Sequence, residues 1–418
     1  PPPPPFFFFI PPTEYPILSG LVGSEMCIRD SRSLDRIRVT HVGSLPRPGK
    51  LIEAMIAEDL GKKVPEKEYD EILYDAVKSI VAKQVALGID CVDDGEFSKR
   101  GFAVYAHARL GGLSPTGYKR PSPWANSRES NEFPEFYGPI TQDNGSKPTH
   151  STMQMACTQK LTYKGKDLLK RDLDNLAAAL AESEVEEAFV PAISPCDIAG
   201  NVLNEHYQND EEFLMAIADA MNVEYRAIVD AGFLLQIDDP RLINYYVKNP
   251  DKSIEECRAW AQKQVESINY ALKGISPDRV RYHTCYGINM GPRVHDMEMK
   301  DIIDIILNIN ADGLSFEAAN PRHEHEWKLW ENINLPEQKT LIPGVITHSS
   351  VLVEHPELVA ERLMRYASVV GKENVMAGGD CGFGTQAMAE PEIHPTIVWA
   401  KFSAMVEGAR IASAKLWS

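Results

Sequence analysis

The sequence lacks any apolar stretch long enough to cross a membrane. A membrane-spanning helix needs roughly 20 consecutive apolar residues, and no run in the 418 residues approaches that length. Positive charge is also scarce, since 43 Lys and Arg face 60 Asp and Glu for a formal net charge of -17. Nucleic acid and anionic membranes are therefore poor candidate partners, and a small-molecule substrate is expected.

Cysteine is also rare and unevenly placed. The seven cysteines are odd in number and scattered through a long chain. A secreted disulfide framework would show an even, closely spaced set, so the pattern favours reduced thiols and a cytoplasmic protein. Cys91, Cys157, Cys196 and Cys257 have no mutual metal-ligand spacing, and we interpret them as buried structural thiols.

Residues 1–31 do not have the composition of a folded segment. Five prolines are followed by four phenylalanines, and the continuation from Leu21 to Ser31 resembles a translated cloning adaptor. A signal peptide is the rival interpretation, but no basic residue precedes the apolar run. We expect a non-native, disordered leader over residues 1–31 and a catalytic domain over residues 32–418.

From residue 32, short apolar runs alternate with long amphipathic ones, a pattern typical of α/β proteins. Eight such units predict a single (β/α)8 barrel of the TIM type, in which crossover helices cover parallel strands. No regular pattern appears over residues 101–150, and a long insertion is expected over about 101–165, after the second strand. The expected strands are 37–43, 89–96, 188–194, 233–238, 280–285, 314–317, 340–346 and one starting at 375; the expected helices are 66–87, 167–187, 210–231, 252–273, 297–308, 356–370 and 396–416.

The motif His283-Thr284-Cys285 lies in the fifth of these strands. Side chains two apart on a strand point to the same face, so the imidazole and the thiol are expected to converge. Glu317 and Cys381 lie near the ends of later strands, and parallel strands would bring all four to one end of the sheet. Nitrogen, sulfur and carboxylate donors suit zinc.

Two other interpretations of the histidines remain open. From His-x-Cys alone, a catalytic zinc site is not the favoured interpretation, and a zinc with a purely structural role stays open. His323 and His325 suggest a second metal site, but neighbours two apart diverge on a helix, so a loop cluster or a solvated helix start is favoured.

The strand-end motifs resemble those of the catalytic barrel of cobalamin-independent methionine synthases over about residues 38–400. The resemblance implies that His283, Cys285, Glu317 and Cys381 bind Zn²⁺ and that His348 donates a proton. It also implies that an amino-acid substrate is bound by four residues at strand ends: Gly43, Ser44, Glu96 and Asp238. The opening segment Thr40–Pro48 is similar to single-barrel relatives as well, including epoxyalkane coenzyme M transferases.

The resemblance has departures that bear on the substrate. The chain has no room for the second, amino-terminal barrel of full-length members, which helps to hold the folate. Asp94 stands where the family usually has His, and Asp239 where it usually has Glu. The homocysteine contacts and the methyl donor, a methylfolate in the family, are therefore less well defined than the metal ligands.

The expected function is zinc-dependent transfer of a methyl group to a homocysteine-like thiol, giving methionine or a related thioether. A free thiol has a pKa of about 8.5, and the reactive thiolate forms when a metal displaces the proton. The alternatives are zinc-dependent addition of a thiol to an epoxide or another electrophile, a metal-free barrel lyase or decarboxylase, and a non-catalytic zinc-stabilised barrel. The sequence does not define the oligomeric state.

Overall fold

The computed structural model describes residues 33–142, 147–185, 187–287, 290–384, 387 and 393–418. The expected leader at 1–31 lies outside the described residues. The strands are β1 Cys91–Val92, β2 Leu110–Lys119, β3 Met153–Tyr163, β4 Glu187–Ile193, β5 Val202–Asn204, β6 Leu234–Asp238, β7 Val280–Thr284, β8 Gly313–Phe316, β9 Thr340–Ile346 and β10 Gly378–Gly379.

The helices that connect these strands are mostly long and amphipathic. The α-helices are α1 Gly49–Asp59, α2 Glu66–Leu87, α3 Tyr105–Arg109, α4 Arg128–Glu132, α5 Pro134–Thr141, α6 Lys166–Leu180, α7 Pro195–Asn201, α8 Asp210–Asp230, α9 Pro240–Lys248, α10 Ile254–Ala271, α11 Ile303–Ile306, α12 Pro356–Val370 and α13 Pro395–Leu416. Short 3-10 helices cover Pro277–Arg279, Met299–Asp301, Glu324–Glu331 and Lys372–Asn374. Within the described residues, no helix combines the length and apolar composition needed to span a bilayer.

Seven strands form one curved parallel sheet in the order β1-β4-β6-β7-β8-β9-β10. Every neighbouring pair in this order is parallel. The carboxyl ends of all seven strands therefore lie at one edge, where parallel α/β proteins place their functional side chains. The α/β class and the parallel sheet agree with the prediction.

The segment expected as the first strand is extended but makes only a short pairing. Val39 forms a parallel bridge with Ala377, just before β10. Its carbonyl oxygen also accepts the N–H groups of Asp90 at 2.9 Å and Cys91 at 3.2 Å. Residues around Val39 thus contact both outer strands of the sheet.

The part of the chain between β1 and β4 contains a second sheet. Strand β2 pairs antiparallel with β3, and β3 pairs parallel with β5. The expectation of no regular structure over 101–150 is wrong for Leu110–Lys119, which forms a ten-residue strand. This strand contains three glycines and a proline, residues that are uncommon in strands, so its sequence does not show the alternation of a strand. Its pairing with β3 determines its structure instead.

Several helix bounds agree with the sequence, and two do not. The helix expected over 167–187 ends at Leu180, and Glu187 already begins β4. The helices α2 and α12 have the predicted ends, and Gly88 closes α2 with φ 94° in the left-handed region, where glycine is favoured. The helix expected over 297–308 is reduced to a 3-10 turn and the four-residue α11. Its isoleucines Ile302, Ile303, Ile305 and Ile306 are nevertheless all buried in the main core, so tertiary packing rather than helical periodicity accounts for them.

Candidate metal centre

Strand β7 and the loop after β10 bring three potential metal ligands together. Ligand atoms of His283, Cys285 and Cys381 lie within 4.8 Å of one another, and all three residues are buried. The two sulfur atoms are 3.3 Å apart. The convergence of these three side chains is what the strand pattern predicts.

The imidazole of His283 has a free nitrogen that can bind a cation. Its Nδ1 lies 2.9 Å from Ser315 Oγ, whereas its Nε2 is buried with no hydrogen-bond partner within the described part of the chain. We assign the proton to Nδ1, which leaves a lone pair on Nε2. Burial, and then the nearby Arg281 guanidinium, lowers the pKa of His283 to about 3, so the ring is neutral at pH 7, as a metal ligand must be.

The Cys285 thiol needs a nearby cation before it can ionise at pH 7. The hydrogen bond with Cys381, followed by burial, raises the pKa of Cys285 well above its usual range. Two sulfur atoms that each lie about 2.3 Å from a tetrahedral zinc are about 3.8 Å apart. The two sulfur atoms are 3.3 Å apart in this structure, so zinc binding would require them to move apart only slightly. An imidazole nitrogen without a hydrogen-bond partner, beside two adjacent thiols, fits a zinc ion. The positive charge of a metal would stabilise the two thiols in their ionised form.

Glu317 lies beside this triad in a second buried group with His348 and Asp380. Its Oε2 accepts hydrogen bonds from Arg293 Nη1 at 2.6 Å and Asn320 Nδ2 at 2.7 Å. Its Oε1 accepts the backbone N–H of Tyr286 at 2.9 Å. The carboxylate is therefore next to the expected metal position but is bound to protein donors.

Asp380 links the strand ends that carry these ligands. Its Oδ1 accepts the backbone N–H groups of Ala318 at 2.7 Å and Ala319 at 2.8 Å. A Cβ on Gly344 would lie only 2.0 Å from the same oxygen, so glycine is needed there for close approach. Asp380 thereby fixes the chain after Glu317 against the segment that presents Cys381.

Two predicted substrate residues, Glu96 and Asp238, lie in a buried acidic cluster. Glu96 is 3% and Asp238 is 7% exposed. Burial, and then the charge of Glu96, raises the pKa of Asp238 well above its usual range. Asp93 belongs to the same cluster, and its Oδ2 is buried with no partner among the described residues. Lys99 partly offsets the charge, with its Nζ 3.3 Å from Glu96 Oε2.

The other two predicted substrate residues place the first loop between this cluster and the metal ligands. A Cβ on Gly43, whose φ is +129°, would lie 3.0 Å from Glu96 Oε1 and 2.6 Å from Pro191 Cγ. The backbone oxygen of Ser44 accepts the N–H of Phe383 at 2.9 Å. The Gly43-Ser44 turn thus contacts the acidic cluster on one side and the loop after Cys381 on the other.

His348 lies on the same rim, as the barrel prediction requires. Its Nε2 is 3.2 Å from Gly287 O and 3.5 Å from Arg293 Nη2, and its Nδ1 is buried without a partner among the described residues. Burial, and then Arg293, lowers the pKa of His348 to about 4. The ring is neutral at pH 7, and Nε2–H donates to the Gly287 carbonyl.

The second histidine pair does not form a metal site in the described part of the chain. His323 stacks on Tyr286 with ring centroids 3.9 Å apart and contacts Asp296 and Glu326, whereas His325 is exposed. Hydrogen bonds to those two acids outweigh burial and raise the pKa of His323 to about 9. Cys91, Cys157, Cys196 and Cys257 are all buried and free, as expected for structural thiols.

Some residues of the site could not be identified from the sequence. Arg293 lies in the segment after Cys285 and reaches both Glu317 and His348. No periodic pattern marks this segment. Lys99 has no signal in the sequence either. Asp93 could have been found, because it stands three residues before Glu96 in a run of carboxylates at the end of an expected strand.

The fold and the site together define a class: α/β proteins that assemble sulfur and nitrogen ligands at the carboxyl ends of a parallel sheet. Residues 194–409 match the family model described as the catalytic domain of cobalamin-independent synthases. This match covers more than half of the chain, and the chain belongs to that family. By membership it is a methyltransferase, and the predicted resemblance is confirmed.

Relatives and solved structures agree with this assignment. A methionine synthase from Thermococcus kodakarensis is 24% identical over 378 residues, which cover 90% of this chain and 93% of the relative. The methionine synthase of Pyrococcus horikoshii is 25% identical over 342 residues, covering 82% and 84%. A B12-independent methionine synthase from Shewanella sp. W3-18-1, solved with selenomethionine, has a TM-score of 0.67 at 17% identity and covers 91% of this chain and 99% of that one.

Proposed function

We propose that the protein transfers a methyl group to the sulfur of homocysteine, giving methionine, at a zinc ion held by His283, Cys285, Glu317 and Cys381. The observation that carries this proposal is the convergence of one orphaned imidazole nitrogen and two thiols at the carboxyl edge of the sheet. Relatives named methionine synthase that align over most of the chain support the choice of product.

Zinc would lower the pKa of a bound substrate thiol and keep it as a thiolate, the nucleophile in alkyl transfer. His283, the two cysteines and Glu317 would hold the ion, and Ser315 would fix the orientation of His283 through Nδ1. Two cysteinates balance the charge of the dication. The substrate sulfur would then retain much of its electron density.

The acidic cluster would bind the amino group of the substrate. Glu96, Asp238 and the unpartnered oxygen of Asp93 present several carboxylate oxygens in a buried site, where an ammonium ion would satisfy them. The Gly43-Ser44 turn lies between this cluster and the metal ligands. A thiol that carries an amino group at the other end could contact both subsites.

His348 would move a proton to the group that leaves when the methyl is transferred. The neutral ring can donate its Nε2–H to the leaving nitrogen while its free Nδ1 takes up the proton that the substrate thiol releases, so it acts as a relay and need not be charged at rest. The Gly287 carbonyl orients the ring by accepting this N–H. The methyl donor is proposed to be a methylfolate, by analogy with the family.

The site depends on a sheet that we propose closes into an eight-stranded barrel, with the segment around Val39 as its first strand. Its contacts with residues beside both β1 and β10 support closure. Arg281 adds to them from β7 by donating to Thr40 Oγ1 at 3.0 Å and His41 O at 2.8 Å. Residues 101–165 are proposed to be an insertion into this single catalytic domain.

The proposal is tested by metal analysis and product detection. Purified protein is expected to hold about one zinc per chain, and to convert homocysteine to methionine with a methyltetrahydropteroyl glutamate as donor. Cys285→Ser and Cys381→Ser should each lose most of the zinc, whereas Cys257→Ser, at a buried thiol on α10, should keep it. Full zinc retention in both site variants would refute the proposed metal centre. A zinc-loaded protein that forms no methionine would refute the proposed activity.

A further inference from the structure

Three half-buried cations near the metal centre have no acidic partner. The side chains of Arg120, Arg241 and Lys248 form no ion pair within the described part of the chain. By contrast, Arg109, which lies in the same part of the chain as Arg120, pairs with Asp172 at 2.5 Å. Because 60 acidic residues face only 43 Lys and Arg, half-buried cations without a partner are unexpected in this protein.

Helix α9 carries two of these cations on one face. Arg241, Asn244 and Lys248 follow the spacing i, i+3 and i+7, so their side chains lie along the same side of the helix. Asn244 Nδ2 is 3.5 Å from the ideal Cβ position of Gly287, in the loop that follows Cys285. This face of α9 therefore lies beside the loop that leaves the metal centre.

The guanidinium of Arg241 packs on the neighbouring helix α7. An ideal Cβ on Gly200 would lie 1.8 Å from Arg241 Cζ, so glycine leaves the space that the guanidinium fills. The backbone N–H of Arg241 donates to Asp197 Oδ2 at 3.4 Å. Burial, and then Asp239, raises the pKa of Asp197 to about 7, so this carboxyl offsets only part of the positive charge at pH 7.

The segment between β1 and β4 supplies the third cation and an aromatic wall. Arg120 directly follows β2, and its Nη1 is buried without a partner among the described residues. Lys248 Nζ lies 5.4 Å from the centre of the Trp124 ring. Burial, and then Arg241, lowers the pKa of Lys248 to about 8; Arg120 acts in the same direction and Cys285 in the opposite one. Lys248 is thus close to both Arg120 and the expected metal ligand.

We propose that Arg120, Arg241 and Lys248 form an anion subsite beside the metal centre, and that this subsite binds a carboxylate of the methyl donor. Guanidinium and ammonium groups hold carboxylates through charge-assisted hydrogen bonds. The ring of Trp124 offers a flat apolar surface to the group that carries the carboxylate. The inference rests on the proposed function, because it assigns the donor a charged end and a place next to the same metal.

The thiol substrate has its own place on the other side of the metal ligands. The Gly43-Ser44 turn and the carboxyls of Glu96 and Asp238 are proposed to hold it, and these carboxyls would repel a second carboxylate. The three cations therefore suit the other reactant. A methylfolate joins an aromatic ring to glutamyl carboxylates, and so matches both the cations and the ring of Trp124.

Equilibrium binding, measured by calorimetry without turnover, tests the subsite. The two probes are 5-methyltetrahydropteroyl glutamate and its diamide, in which both glutamyl carboxylates are replaced by neutral amides. Wild-type protein should bind the acid more tightly than the diamide. Arg120→Gln and Lys248→Gln should each weaken binding of the acid by about 10- to 100-fold, since each removes a charge-assisted hydrogen bond, and should leave the affinity for the diamide and for homocysteine unchanged.

Gly200→Ala tests the same subsite without changing any of its cations. The added methyl group should displace the guanidinium of Arg241 and weaken binding of the acid by about tenfold, while alanine is favourable within α7. Lys252→Gln is the matched control, because Lys252 is exposed and pairs with Glu256 at 3.0 Å. It removes the same charge four residues after Lys248, and its affinity for the acid should not change. Wild-type zinc content in every variant shows that the fold is intact.

Two results would overturn the proposal. One is equal affinity of the wild-type protein for the acid and the diamide, and the other is a loss of homocysteine affinity in Arg120→Gln and Lys248→Gln as large as the loss of donor affinity. Methionine formation with unchanged donor affinity in all the subsite variants would also refute the subsite and leave the activity standing. Preference for the acid through these residues without methionine formation would refute the proposed activity and leave the subsite standing.

Discussion

At the scale of single residues, burial decides which groups of the site are charged. His283 and His348 are both neutral because burial lowers their pKa values to about 3 and about 4. Asp238 responds in the opposite direction, since burial raises the pKa of a carboxyl. An ammonium group bound beside Asp238 would lower the pKa of this carboxyl and favour its charged form.

His348 is expected to be essential for turnover and dispensable for binding. His348→Asn should keep zinc and thiol affinity but lower kcat by at least about a hundredfold, in the range of general acid–base catalysis. Because the neutral ring is the working form and its pKa is about 4, kcat should show no step from this group between pH 6 and 8. Normal turnover of a zinc-loaded His348→Asn protein would leave His348 with a structural role.

The acidic cluster predicts discrimination between thiols with and without an amino group. Glu96→Gln and Asp238→Asn should each raise the KM for homocysteine by roughly 10- to 100-fold, since a charge-assisted hydrogen bond contributes about 1.5–3 kcal/mol. The KM for 4-mercaptobutanoate, which lacks the amino group, should change little. Equal effects on both thiols would show that these carboxyls support the fold and do not bind the ammonium.

At the scale of elements, the sequence predicts best where local pattern and tertiary packing agree. The ends of α2, α12 and β9 are predicted correctly, because their periodicity and flanking glycines or prolines coincide with their packing. The strand β2 was missed, since its pairing with β3 and not its own composition makes it a strand. Long-range pairing of this kind leaves no local signal.

The residues of the site also divide into those that a local pattern predicts and those that depend on tertiary structure. The spacing of His283 and Cys285 on one strand predicts their convergence, and the strand order extends it to Cys381. The engagement of Glu317 by Arg293 could not be predicted, because it depends on the conformation of a loop between β7 and the following 3-10 turn. A positive φ at an arginine has no sequence pattern that announces it.

The packing of α12 on α13 supplies a test at this scale. A Cβ on Gly408, in α13, would lie 2.4 Å from Val359 Cγ1 and 2.8 Å from Pro356 O. Gly408→Ala should therefore lower the free energy of unfolding by about 1–3 kcal/mol through overpacking, although alanine is the better helix former by about 1 kcal/mol.

Gly49→Ala is the matched control for this prediction. Gly49 opens α1, and nothing lies within 4 Å of its ideal Cβ, so the same substitution should leave the protein unchanged or slightly more stable. Denaturant unfolding of both variants measures the difference. An increase in stability for Gly408→Ala would show that the two helices can separate at little cost.

At the scale of the whole molecule, one sheet edge collects groups from most of the chain. Three expected metal ligands come from β7 and its end and from the loop after β10, and the acidic cluster comes from the ends of β1 and β6. Glu129 of α4 accepts the backbone N–H of Arg293 at 3.1 Å. His41 joins α2 to the Gly43-Ser44 turn. Its Nε2 lies 2.7 Å from Gln84 Oε1, and its Nδ1 accepts the Gly43 N–H at 3.1 Å.

His41 makes the stability of the molecule depend on pH. Burial is the largest cause that lowers the pKa of His41 to about 3, against about 6.5 in an unfolded chain. The unfolded state therefore binds more protons between these values, so the contribution of His41 is fully present above pH 6.5 and is lost as pH falls toward 3. Well below pH 6.5, His41 contributes about 1.4 kcal/mol per pH unit to the change of the free energy of unfolding with pH.

His41→Gln should remove this share of the pH dependence. The variant is expected to be less stable than wild type at pH 7.5, but its free energy of unfolding should fall less steeply between pH 6.5 and 5, by about 1 kcal/mol per unit on average. Denaturant titrations in the presence of a chelator measure both slopes and keep zinc release from contributing. Parallel curves for the two proteins would mean that His41 titrates alike in the folded and unfolded states, and that the acid response of the molecule has another source.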